Sequence, residues 1–410
     1  VERRMKASTL KLCLPITAMT AQQTAAALLI PPFLDSHHYP VSAIGSLIAV
    51  APFLALAARL PSGVYYRGDR ARPLIVAALV VMSACTFLYS YAVAPLAFAL
   101  VQGFNGFAYG AATTIYLAFY VDHLPPDEDR HHAMGYYTGC LAIGYSVGGF
   151  AAGYVADKLG YAMAFHSASL LGLVCIVLLF LFSPAPQRRA AEKSGTKKPA
   201  QPVFASLRGI LDPNVAAIIV VALFLNLLHQ MSNAFAPLYG LAVGLSLTEV
   251  GVIRASFSLC NAVTRPFSGS VTRTIGQKKL SRFGLPLQSA FMMLVPLTHT
   301  FSPLMTVFLM AGFVRAIVIV ANSISMVEDV DSTRVSRGVI SGVYNAAGDV
   351  GNILGPSMGG LIATFTGVGR LFFVGPLMIT VAFFVSLWAC RFITPQRATE
   401  RRRDVTVSSI

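Results

Sequence analysis

Charge is scarce in this chain: Asp, Glu, Lys and Arg make up 12% of its 410 residues, where soluble domains carry about a quarter. Acids are scarcer than bases, 17 against 31. No G-x-x-x-x-G-K-[ST] occurs, so the chain holds no phosphate loop to drive it with a nucleotide. No H-E-x-x-H occurs either, and no enzymatic activity is expected. The six cysteines (Cys13, Cys85, Cys140, Cys175, Cys260 and Cys390) lie in or beside apolar segments. None forms a C-x-x-C or a His–Cys zinc spacing, so no disulfide, metal or cofactor is expected.

What is present is apolar sequence: 55% of residues are hydrophobic and the mean hydropathy is +0.67. A spanning helix needs about 20 such residues, so twelve would use roughly 240, leaving short loops and little else. Apolar segments fall at 10–34, 42–66, 73–91, 95–121, 133–157 and 161–182, then at 213–239, 247–272, 280–299, 303–328, 337–364 and 368–391. The predicted fold is therefore an all-α membrane protein of twelve transmembrane helices. Residues 1–184 form an N-terminal six-helix bundle, 185–212 a cytoplasmic linker, 213–394 a C-terminal six-helix bundle and 395–410 a cytoplasmic tail. The basic N-terminus before the first apolar run imitates a secretion leader, but the run continues to Leu34 and has an equivalent in the second half. It reads as a span.

The net charge of +14 points to topology and not to nucleic acid. Of the 31 Lys and Arg, only Lys158 and Arg370 fall in odd-numbered loops, and Arg254 and Arg315 fall inside helices. The rest sit in the tails, the linker, the even-numbered loops or the helix ends beside them. Basic residues accumulate on the cytoplasmic side, which predicts a multi-pass cell-membrane protein with both termini cytoplasmic.

The two halves repeat. At an offset of 206, Pro31 matches Pro237, Gly45 matches Gly251, Arg59 matches Arg265 and Gly63 matches Gly269. At 207, Asp122 matches Asp329, and Gly144, Gly148, Gly153 and Gly160 match Gly351, Gly355, Gly360 and Gly367. Duplication of six helices makes the repeats parallel and places a binding site near the midplane between them.

With these features the chain resembles the major facilitator superfamily over nearly its whole length. The family's loop between helices 2 and 3 appears as Gly63-Val-Tyr-Tyr-Arg67-Gly-Asp69-Arg70, and its repeat as Gly269-Ser-Val-Thr-Arg273-Thr-Ile-Gly276. Arg67 and Arg273 stand where the family has Asp, with Asp69 nearby as a substitute. The family's glycine–proline pattern is reproduced at Gly351 to Gly360 through Gly355 and Pro356, and in part at Gly144 to Gly153 through Gly148. Gly149 replaces its proline. Small residues four apart let helices approach closely in lipid. Gln102 and Asn105 occupy the place of a basic motif on helix 4 that proton antiporters of the family carry.

The resemblance implies that helices 1, 4, 7 and 10 line a central cavity, in keeping with polar stripes at three- and four-residue spacing. The candidate lining is Gln23, Gln102, Asn105, Tyr109, Asn226, His229, Gln230, Asn233, Arg254, Arg315 and Asn322. Asp349 is the one acid placed well inside the membrane, and a buried pair with Arg315 is one expectation for it. Asp349, Glu249, Asp35 and His229 are the candidates for proton coupling. The expected activity is secondary active transport by alternating access, as proton-coupled export of a small organic solute. Import of an organic anion, favoured by Arg254 and Arg315, is the alternative; a receptor or assembly factor without flux is the reading from another class. The expected partners are a small-molecule substrate, protons and the lipid bilayer, with the protein a monomer.

Overall fold

A computed structural model describes residues 7–64, 66, 68–124, 130–182, 213–331 and 337–392. These residues are helical almost throughout, with no strand among them. The first helices are α1 (Ala7–Ser36), α2 (Val41–Val64), α3 (Gly68–Leu88) and α4 (Pro95–Asp122). The stretch Arg130–Phe182 is continuous except at Gly160, whose φ of +82° turns the chain; its arms are α5 (130–159) and α6 (161–182). Then come α7 (Pro213–Ala242), α8 (Leu247–Ile275), α9 (Gln277–Met293) and α10 (Phe301–Asp331). The stretch Arg337–Phe392 turns at Gly367, φ +78°, into α11 (337–366) and α12 (368–392). Both turns need a left-handed backbone that glycine adopts without a Cβ penalty, and the repeat pairs these two glycines.

Among the described residues these make twelve helices, in two six-helix bundles. Among the described residues seven continuous helices are long and apolar enough to cross a membrane, and two of those, Ala133–Phe182 and Gly342–Cys390, are of double length. The exceptions are α4, α8 and α9. The helix α8 carries Glu249, Arg254, Arg265 and Arg273, and α9 has 17 residues. The segment expected at 280–299 ends early, at Met293, and continues as a 3-10 turn over Val295–Leu297. Pro296 lacks the N–H that an α-helix would use there.

The outward surface is apolar: Phe365 is 81% exposed, and Phe267, Leu181 and Trp388 also project from the bundle. In water so large an apolar surface would drive aggregation; in a bilayer it meets its solvent. The four cysteines Cys13, Cys85, Cys140 and Cys175 are buried as free thiols, as expected of packing residues.

The bundles meet along α5–α8 and α2–α11. The loops 37–40, 89–94, 243–246 and 294–300 gather at one end of the molecule, here called the short-loop end. The other end, from which 183–212 departs, is the linker end. At the short-loop end the backbones touch. A Cβ added at Gly360 would lie 2.9 Å from the Val41 carbonyl oxygen and 3.1 Å from the Gly45 Cα. Asp157 at the end of α5 accepts hydrogen bonds from the Leu247 N–H (3.0 Å), the Thr248 N–H (2.7 Å) and the Thr248 hydroxyl. Ser246 and Glu249 complete a capping box on the same helix start, so the first amides of α8 are satisfied from both bundles.

Candidate functional site

Between the bundles lies a cavity of two joined chambers. The first, about 390 Å³, is lined from α1 by Gln23 and Thr24, from α2 by Arg59, from α4 by Tyr109 and from α5 by Tyr145. The second bundle contributes Asn226, His229, Gln230 and Asn233 from α7, Arg254 and Ser258 from α8, Arg315 from α10, and Asp349 and Asn352 from α11. The second chamber, about 680 Å³, extends toward the linker end between Gly135, Thr138 and Ala142 of α5 and Asn261, Arg265 and Pro266 of α8. Tyr145, His229, Ser258 and Arg315 border both.

The charges are held in distinct ways. Asp349 pairs with Arg59 at 2.9 Å, joining α11 to α2 across the bundle interface. The expected partner, Arg315, instead donates to the Leu225 carbonyl (2.6 Å) and the Asn226 amide oxygen (2.9 Å), both on α7. Arg315 and Asp349 thus do not pair. Arg254 is buried and donates to the Ala27 carbonyl of α1 at 3.3 Å. Arg265 donates to Asn261 of its own helix at 3.0 Å. His229 stacks on Phe257, and its Nε2 lies 3.0 Å from the Asn233 amide nitrogen.

Eight of the expected lining residues converge here: Gln23, Tyr109, Asn226, His229, Gln230, Asn233, Arg254 and Arg315. Gln102, Asn105 and Asn322 do not line either chamber. Gln102 and Asn105 share the stripe of Tyr109 but lie nearer the short-loop end, where α2 covers α4. Gln102 accepts there from the Tyr89 hydroxyl and donates to the Ile48 carbonyl. Asn322, two turns beyond Arg315, donates to the Ile218 carbonyl of α7. Gln102 and Asn322 bind helix to helix, while the amide nitrogen of Asn105 is buried with no hydrogen-bond partner among the described residues. Of the acids, Glu249 is engaged in the capping box and Asp35 is exposed at the end of α1, so neither reaches the cavity.

The loop motifs are partly visible. Arg67 and the side chain of Asp69 lie outside the described residues; Arg70 and Arg273 are exposed. Gly276, φ +92°, makes the turn from α8 to α9. Gly63 and Gly269 face open space: a Cβ at Gly269 would meet nothing within 4 Å. Next to this loop the Tyr66 hydroxyl donates to Asp122 at 2.6 Å, and burial together with that carboxylate holds the phenol protonated, above its ordinary range. Gly148, Gly153, Gly355 and Gly360 do pack backbone to backbone, with Pro356 against Gly45. Within this motif Gly144-Tyr-Ser146-Val-Gly148 spells G-x-S-x-G. Ser146 lies mid-helix and donates to the Ala142 and Ala255 carbonyls, so it is no nucleophile elbow.

Four residues that matter here stood outside the predicted cavity set: Arg59, Arg265, Tyr145 and Asp157. The repeat had already paired Arg59 with Arg265; nothing in the local sequence marks Asp157.

A polar cavity between two six-helix bundles in an apolar shell defines a membrane protein that transports small molecules. The chain belongs to the Major Facilitator Superfamily, whose family model matches residues 12–330 and 220–407. It is 20% identical over 344 residues to an uncharacterized MFS-type transporter of Methanocaldococcus jannaschii, covering 84% of this chain and 88% of that one. It is 29% identical over 153 residues to the quinolone resistance protein NorA of Staphylococcus aureus, spanning 37% of this chain and 38% of that protein. Among solved structures, the nucleoside transporter NupG superposes with a TM-score of 0.73 at 14% identity, covering 94% of this chain and 99% of that one. An inward-facing, occupied bacterial homolog of the human lysosomal transporter Spinster superposes with 0.72 at 15% identity, covering 94% and 95%. These likenesses show the fold.

Proposed function

We propose that this protein exports a small organic solute in exchange for protons, by alternating access about the two-chamber cavity. The observation that carries the reading is the Arg59–Asp349 pair. Asp349 is the one carboxylate lining either chamber among the described residues, and its partner sits on the opposite bundle. A proton on Asp349 cancels the attraction and frees α11 from α2, so protonation and bundle movement are linked at one bond. The basic loops and tails put the linker end in the cytoplasm, which makes this conformation one packed at the outside and extended toward the inside. A resistance protein among the relatives is in keeping with export.

The test uses Asp349→Asn in proteoliposomes, with a substrate first found by thermal-shift screening of drugs, sugars and carboxylates. Transport driven by a pH gradient should be lost, while substrate-for-substrate exchange without a gradient continues. Gradient-driven transport at the wild-type rate would remove Asp349 from the coupling role.

A further inference from the structure

The two bundles are not equivalent in charge. Arg59 of α2 and Arg265 of α8 are repeat mates, and each reaches the cavity. Arg59 has its carboxylate, Asp349 of α11. At the offset of 207 that relates α5 to α11, the residue matching Asp349 is Ala142. Ala142 lines the second chamber together with Arg265, and no acid lines that chamber among the described residues. The first interface has a complete cross-bundle ion pair; the second has the arginine and a methyl group where the carboxylate would stand.

Deeper in, Arg254 and Arg315 are 8% and 6% exposed and meet carbonyl and amide oxygens, with no carboxylate paired to either among the described residues. Arginine stays protonated in proteins, so the chambers hold a surplus of three positive charges over Asp349. Buried cations are expensive without a counter-ion. Arg254 and Arg265 also share one face of α8, with Ser258 and Asn261 between them. They are eleven residues apart, about 16 Å of helix, and Arg315 borders both chambers.

We infer that the transported solute is an organic dianion, one of whose acidic groups takes the place vacated at Ala142 and pairs with Arg265 while the other is held by Arg254 and Arg315. The ligand supplies the carboxylate or phosphate that the second repeat lacks, and in doing so it closes the α5–α8 interface as Asp349 closes α2–α11. A singly charged solute satisfies only one pole. A neutral one leaves all three arginines uncompensated. This inference rests on the reading of the cavity as the transport site and names what that site takes.

The test is equilibrium binding to the detergent-purified full chain, with no gradient and hence no dependence on coupling. The probes are the straight-chain dicarboxylates from succinate to suberate, phenyl phosphate, and the mono- and dimethyl esters of each dicarboxylate. At least one dianion should bind tenfold or more tightly than its monoester, and the diester should not bind measurably. Ala142→Asp restores the missing carboxylate in a chamber with room for it, and should weaken that dianion at least tenfold while Ala142→Asn, of the same size, changes it less than threefold. Arg265→Gln should cost the dianion at least tenfold and its monoester little. Dianions that bind no better than their esters overturn the inference, as does equal weakening by Ala142→Asp and Ala142→Asn. Either result leaves the Asp349 coupling experiment untouched, and failure of that experiment leaves this one interpretable. Phenyl phosphate carries both charges on one group, so its binding as tightly as the best dicarboxylate would overturn the two-pole arrangement.

Discussion

Asp157→Ala removes one side of the closure at the short-loop end, and its effect can be worked from the contacts. Its carboxylate accepts from two backbone amides and one hydroxyl at the start of α8. It acts as a cap supplied by the other bundle. Losing a side-chain cap costs about 0.5–2 kcal/mol, and a negative charge at a helix N-terminus adds about 0.3–1 kcal/mol. Asp157 is exposed, so water replaces it at the freed amides and the loss stays in the lower part of that sum, about 1–2 kcal/mol. The bonds exist only while the bundles meet at this end, so the loss falls on the conformational equilibrium and not on the fold. At about 1.4 kcal/mol per factor of ten, the closed-to-open ratio at the short-loop end should fall roughly 5- to 30-fold. Asp157→Asn retains one acceptor oxygen and should fall between. Spin labels at Tyr91 and Thr300, one in each bundle's loop at this end, report the opening by pulsed electron resonance once the partly accessible Cys260 and Cys390 are replaced. An unchanged distance distribution in Asp157→Ala, with the protein folded, would refute the assignment of Asp157 as a latch between bundles.

Two further outcomes are expected. Gly360→Val places side-chain atoms against the backbone of α2 on two sides; overpacking of about 1–3 kcal/mol should lower the thermal unfolding temperature and widen the same label distance, and a variant as stable and as closed as wild type would show that the contact carries no weight. Reporter fusions after residues 36, 195 and 400 should read outside, inside and inside, and an outside reading at 195 would reverse the sidedness used for the direction of transport.

The helices, the repeat and the membrane environment were legible in the sequence because each leaves a local trace. A span is a run of apolar residues whatever it packs against, as Val41–Val64 and Phe301–Asp331 show. A duplication leaves glycines in register, and Gly160 and Gly367 marked two turns for which a left-handed backbone is the physical requirement. The polar stripe of α7 placed Asn226, His229, Gln230 and Asn233 on one face before any neighbour was known, since a helix fixes that geometry by itself. What sequence could not decide was partnership. Arg315 and Arg59 were both available to Asp349, and only the approach of α2 to α11 selects Arg59. Gln102 and Asn105 share the stripe of Tyr109, yet depth, set by where α2 closes over α4, removes them from the cavity. Glu249 was a candidate for proton coupling and is engaged in a cap. Asp157 carries no motif; its role arises because two helices from different bundles end at the same place. Periodicity is written within one helix, and pairing between helices depends on distances that only the packed bundle sets.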